Sequence, residues 1–166
     1  MSMKGAWIVM IPLSICTVVR YCISEKQLEA KSNVLTGISD GLSVLVWWVL
    51  SAWIVYLGLR LLGDWKGRAE SLIAPLGVAN VPWLFVAASL IVSDLLLKPF
   101  LIHHLYTTVG TYISWTIVYI FAGQVATFTL SSVLVWKLTG LRFWKVLASV
   151  AIPYVVSKVL FSWGGK

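Results

Sequence analysis

The sequence predicts an all-α fold, a polytopic membrane bundle of five transmembrane helices in a single domain over residues 1–166, and three observations predict it. First, 60% of the 166 residues are hydrophobic and only 11% are charged, with mean hydropathy +0.91; soluble domains carry roughly 25% charged residues. Second, the apolar residues fall into runs of roughly the 20 residues that a helix needs to cross a bilayer, and open sheets cannot cross lipid because their edges would stay unpaired. Third, the chain holds ten Trp, six Tyr and six Phe, and amphipathic rings favour the two faces of a membrane. Trp7, Trp65, Trp115, Trp136, Trp144 and Trp163 all stand near the ends of these runs.

The first predicted span covers about residues 6–23. It resembles the apolar stretch of a signal peptide, yet no small-residue cleavage site follows it, and it is read as a retained helix. Pro12 falls inside it and is expected to kink it. The most polar stretch follows, Glu25 to Asp40, an exposed loop or one short surface helix. The second span covers about residues 42–62 and the third about 82–102. Between them, the charged residues Asp64, Lys66, Arg68 and Glu70 precede Leu72, Ile73 and Leu76. This pattern predicts an amphipathic interfacial segment, marked by Trp65, Lys66 and Arg68 and turning into the membrane at Pro82. A second register starts the third span at Leu72 and ends it at Leu97, with Pro75 and Pro82 inside. The choice decides whether Asn80 lies near the surface or deep in lipid. The fourth span covers about 112–136 and the fifth about 144–163, with Pro153 inside the latter.

Cytoplasmic segments carry the excess of Lys and Arg. One side of this layout holds Lys4, Arg60, Lys66, Arg68, Lys137, Arg142 and Lys145; the other holds Arg20, Lys26, Lys31, Lys98, Lys158 and Lys166. The excess is one residue, and it places the amino terminus in the cytoplasm. Net charge is +7, but the basic residues are scattered between apolar runs, so anionic lipid and not nucleic acid is the expected partner.

The chemistry-bearing residues are few. Cys16 and Cys22 have neither redox-pair nor zinc-ligand spacing and are read as packing or interfacial thiols. No HExxH, GxSxG or GxxxxGK[ST] occurs, and the expectation is a protein that is not an enzyme, with no catalytic residue, metal or cofactor. His103 and His104, the only histidines, would project about 100° apart on a helix and are read as facing solvent or headgroups.

Ionisable residues inside a span cost about 2.5–3.5 kcal/mol at the bilayer centre and are therefore usually paired or functional. Asp94 stands four residues before Lys98, the favourable order for an ion pair along one helix. Lys158 lies at a similar depth in the fifth span, so an Asp94–Lys158 bridge is the alternative to local pairing with Lys158 snorkelling outward. Gln124 sits near the middle of the fourth span, followed by Thr127, Thr129, Ser131 and Ser132. Such a run serves close helix packing and interhelical hydrogen bonds; alternatively Gln124, Thr127, Ser131 and Asn80 line a polar pathway for an ion or small solute.

The stretch from Leu62 through Gly63, Asp64, Gly67, Gly77, Ala79 and Asn80 to Pro82 resembles the Yip1 domain of small polytopic membrane proteins. In that family the second span ends in a glycine-containing turn, followed by a polar and amphipathic stretch and a proline-marked entry into the third. The basic link from Lys137 to Lys145 and the last span with Pro153 are also similar. The resemblance implies five helices and a cytoplasmic amino terminus. The long amino-terminal region and the DLYGP motif of eukaryotic members are absent from this sequence, so trafficking and GTPase binding do not carry over. The expected function is a non-enzymatic scaffold or accessory protein that organises membrane or partner proteins, in the cell membrane of a prokaryote or the endomembranes of a eukaryote. The alternatives are a small channel or transporter, which would require a homo-oligomer, and an accessory subunit of a larger membrane complex.

Overall fold

A computed structural model describes residues 3–26, 34–103 and 106–163, and among these residues it contains six helices and no strand. They are α1 (Met3–Lys26), α2 (Val34–Gly63), α3 (Glu70–Val78), α4 (Val81–His103), α5 (Tyr106–Thr139) and α6 (Phe143–Trp163). The helices outrun the apolar windows because the backbone ladder continues through flanking polar residues until something stops it. Asp40, for example, lies in α2 and not in a loop. What stops α2 is Asp64, whose positive φ of 52° ends the helical turn, a conformation that short polar side chains tolerate. At the end of α5, Gly140 has φ 64° and its N–H bonds the Trp136 carbonyl at 2.9 Å, a left-handed cap that suits glycine because it has no Cβ.

Three helical stretches are long and apolar enough to cross a membrane, Met3–Arg20, Leu35–Gly63 and Thr116–Thr139, or four when the bent pair α3–α4 is taken as one span. This is fewer than the five predicted. The described apolar part of α6, Phe143–Ser157, falls short in length, and the third predicted span is preceded by a break with a 42° bend.

The pairs α1/α2, α2/α6 and α5/α6 run antiparallel, whereas α1 and α4 run parallel, with Ala6 beside Gly77 and Arg20 beside Asp94. Ser14 Oγ donates to the Gly41 carbonyl at 2.7 Å while Trp7 meets Trp48 edge-on at 5.1 Å, which sets α1 against α2. Gly58 lies against Ser149 and Ile152, and Gly63 against Leu141, setting α2 against α6. Phe128 packs on Tyr154 at 5.4 Å and Trp136 on Phe143 at 5.7 Å, setting α5 against α6. With α4 touching both α1 and α5, the order α1–α2–α6–α5–α4 closes into a ring, and α3 touches α1, α2 and α5.

The segment before Pro82 packs into the bundle as α3. In α3, Leu72, Ala74, Pro75, Leu76 and Gly77 are all buried. The reason lies in its composition: an interfacial helix needs a polar face along its length, whereas here Glu70 and Ser71 stand together in the first turn and everything after them is apolar. The Trp48 indole N–H donates to the Ile73 carbonyl at 2.8 Å, and a Cβ on Gly77 would come within 2.7 Å of Ala6 Cβ and 2.8 Å of the Trp48 ring. Only a residue without a side chain lets α3 approach α1 and α2 this closely. Of the marker residues, Lys66 and Arg68 are exposed in the link before α3. Trp65 is half-buried against Tyr56, ring centroids 6.2 Å apart. Pro82 stands in the first turn of α4, where a missing N–H has no helical partner to lose.

The core joins Met10, Leu13, Val55, Leu59, Leu72 and Val146 into one cluster. The outer flanks are as apolar as the interior: Leu61 is 84% exposed, Ile8 71% and Phe85 70%. Exposed apolar surface on this scale marks a surface made to face something other than water.

Candidate functional site

α3 ends at Val78 and α4 begins at Val81, so the chain breaks direction inside the ring. The last turn tightens, with the Asn80 N–H reaching the Gly77 carbonyl at 3.1 Å and the Ala79 N–H the Pro75 carbonyl at 2.9 Å. The Asn80 side-chain amide donates to the Leu76 carbonyl at 2.8 Å. These bonds satisfy carbonyls that a helix end leaves open, and they fix Asn80 at the break.

Beside the break lies a cavity of about 430 Å³ to which α1, α2, α4, α5, α6 and the end of α3 contribute. Asn80, Gln124, Thr127 and Ser131 line it together, alongside Ser43, Ser51 and Ser157. Apolar and aromatic residues form the rest of the wall, among them Met10, Leu13, Trp47, Trp48, Trp83 and Tyr154. Among the described residues, none lining it is Asp, Glu, Lys, Arg or His. Gln124 and Ser43 are exposed, whereas Trp48, Thr127, Ser131 and Val150 are buried, so the cavity has an open rim and a closed floor.

Most hydroxyls in these helices are satisfied by the carbonyl one turn back. Thr17, Ser89, Thr129, Ser132 and Ser149 all bond the carbonyl four residues earlier, at 2.8 to 3.0 Å. Ser131 takes a different partner, the Tyr154 hydroxyl. Thr127 takes none: its Oγ1 is buried without a hydrogen bond, a condition that typically costs about 1–3 kcal/mol.

An ion pair between helices is also a structural finding. Arg20 Nε meets Asp94 Oδ2 at 3.5 Å, with the Arg20 side chain 42% exposed and Asp94 12%. Arg20 on α1 thus supplies a partner across helices, where the sequence pointed to Lys98 or Lys158. The side chains of Lys98 and Lys158 lie outside the described residues, as do those of Cys22, Trp115 and Trp163; so do residues 27–33, the His103 side chain and His104. Among the described residues no group of three or more His, Cys, Asp or Glu is placed to hold a metal ion.

The helix order gathers charge at one end of the ring. Arg60 at the end of α2, Lys66 and Arg68 in the link, Lys137 at the end of α5, and Arg142 and Lys145 around the start of α6 share that end, against Asp64 and Glu70, while Lys4 in the first turn of α1 is level with the α2 residues just after Trp48 and so falls short of Arg60. All seven are exposed except Lys145, which is half-exposed. Aromatic rings hold two of these cations: Arg60 lies 5.9 Å from the centroid of Tyr56 and also donates to its hydroxyl at 3.2 Å, and Lys145 lies 5.8 Å from that of Trp144. Such contacts stiffen a cation without neutralising it.

Sequence reasoning singled out Asn80, Gln124, Thr127 and Ser131 but missed the aromatic wall and Arg20. A signal for the wall was available in Trp47 and Trp48, tryptophans near the middle of a span and not at its ends. No family model, curated protein or solved structure matches this chain, and the comparison with the Yip1 domain therefore rests on residues 62–82, the basic link and the last helix of this sequence.

Proposed function

We propose that this chain is a non-enzymatic integral membrane protein of five spans, a scaffold or accessory subunit similar in form to a Yip1 domain, with its basic end in the cytoplasm. The five spans are α1, α2, the bent pair α3–α4, α5 and α6. The observation that carries the reading is the pairing of exposed apolar flanks with six basic residues, Arg60, Lys66, Arg68, Lys137, Arg142 and Lys145, gathered at one end. Apolar flanks suit lipid, and a basic end suits the anionic headgroups of a cytoplasmic leaflet or an acidic segment of a membrane partner. The membrane is the cell membrane in a prokaryote and an endomembrane in a eukaryote.

The test is isolation in mild detergent followed by native mass analysis, with parallel reconstitution into nanodiscs of neutral and of anionic lipid. The expected result is a stoichiometric foreign membrane protein or retained anionic lipid, with a higher melting temperature in the anionic discs. A bare monomer, equally stable in both lipids, would contradict it.

A second reading is favoured by one observation, the meeting of Asn80, Gln124, Thr127 and Ser131 in one cavity. In that reading a homo-oligomer conducts a small solute. It predicts solute flux into proteoliposomes that Gln124→Leu abolishes; absence of flux in the unmodified protein would remove it.

A further inference from the structure

The cavity beside the α3–α4 break is a place where bundle packing stops short. Among the described residues its lining carries no formal charge. A charged occupant would find no counter-ion among them in a low-dielectric wall, a strongly unfavourable arrangement. The described wall therefore suits a neutral occupant.

The rim tells how an occupant enters. On α5, Gln124 is flanked by Phe121, 66% exposed, and Val125, 48% exposed; on α2, Ser43 is flanked by Leu42, 56% exposed, and Val46, 66% exposed. The mouth thus opens among side chains that face hydrocarbon, and entry is lateral, from the bilayer. An occupant arriving that way is itself soluble in lipid.

The wall tells what the occupant presents. Thr127 holds a buried hydroxyl with no partner, and the Gln124 amide has no hydrogen bond among the described residues. These two stand one helical turn apart on α5 and supply both donor and acceptor capacity. Trp47, Trp48 and Trp83 line the same cavity with broad apolar surface, Trp83 packing against Gly123 next to Gln124. We propose that this cavity binds one uncharged amphiphile from the bilayer, with a hydroxyl- or carbonyl-bearing head at Thr127 and Gln124 and its hydrocarbon against the tryptophan wall. A volume of about 430 Å³ lies within the usual range for small-molecule sites and admits the glycerol head and upper chain of a neutral monoacyl lipid.

The proposal rests on the membrane placement proposed above but not on the scaffold role, since a scaffold needs no internal ligand. The experiment uses the delipidated full-length protein in detergent and the probe 1-oleoylglycerol, read by native mass spectrometry and thermal shift. The expected result is saturable binding of one molecule per chain with a raised melting temperature. Thr127→Val, which keeps the shape and removes the orphan hydroxyl, is expected to weaken binding at least five-fold while leaving the ligand-free protein as stable as before or more so. Thr127→Ser is expected to retain binding, and Gln124→Leu, at the exposed rim, provides an independent loss. Three outcomes would overturn the proposal: no saturable binding to the unmodified protein; binding unchanged in both Thr127→Val and Gln124→Leu; or equal competition by free glycerol, which would make this a site for a water-soluble solute.

Discussion

Asp94 shows what a single residue can and cannot announce. An acid inside an apolar run is visible in any reading of the sequence, because its desolvation demands a partner. Which partner depends on the lateral order of helices, and only the packing of α1 against α4 brings Arg20 within 3.5 Å. Asp94 is 12% exposed and Arg20 42%, so the bundle encloses the acid more closely than the base. Asp94→Asn and Arg20→Met should each lower thermal stability in detergent, by on the order of 1 kcal/mol, and the double variant should lose less than the sum of the two. Strict additivity in that cycle would show that the two groups do not interact. Thr127 follows the same logic: its hydroxylated neighbourhood is legible in the sequence, but its missing partner is not, since that depends on which hydroxyls turn back to their own helix.

At the scale of elements, the boundary between α3 and α4 was readable from Pro82 and from the small residues Gly77 and Ala79, whereas the depth of α3 was not. Interfacial and inserted registers share the same charged start at Arg68 and Glu70. What separates them is the polar face that residues 72–78 lack, together with the fit of Gly77 against Ala6 and Trp48. The register running from Leu72 towards Leu97 therefore describes the bent pair better than the one beginning at Pro82. Gly77 carries a direct test. Gly77→Val should destabilise the bundle by about 1–3 kcal/mol through overpacking, and Gly77→Ala by less, because even its Cβ requires Ala6 or Trp48 to move. Unchanged melting in Gly77→Val would mean that α3 does not pack where the structure places it. Length was legible only coarsely: apolar windows located five runs, but helices end where caps such as Gly140 intervene, and three to four stretches meet the length and composition of a span.

On the scale of the whole molecule, the ring α1–α2–α6–α5–α4 turns a narrow charge bias into a spatial one. Seven basic residues against six is a small excess along the sequence, yet six of the seven converge on one end. Composition made the membrane setting legible. It could not reveal the closed ring, the cavity inside it or the tryptophans that line it, because each arises from helices far apart in the chain. The central proposal is that α3 is part of a span inside this ring, entered from the basic end, and that this end faces the cytoplasm. The most direct measurement is labelling of single cysteines with a membrane-impermeant maleimide in intact and permeabilised cells, in a background where Cys16 and Cys22 are serine. Arg68→Cys and Gly140→Cys should both label only after permeabilisation, and Leu76→Cys should resist labelling in either case. Labelling of Arg68→Cys and Gly140→Cys from opposite sides, or of Leu76→Cys as readily as Arg68→Cys, would contradict the account.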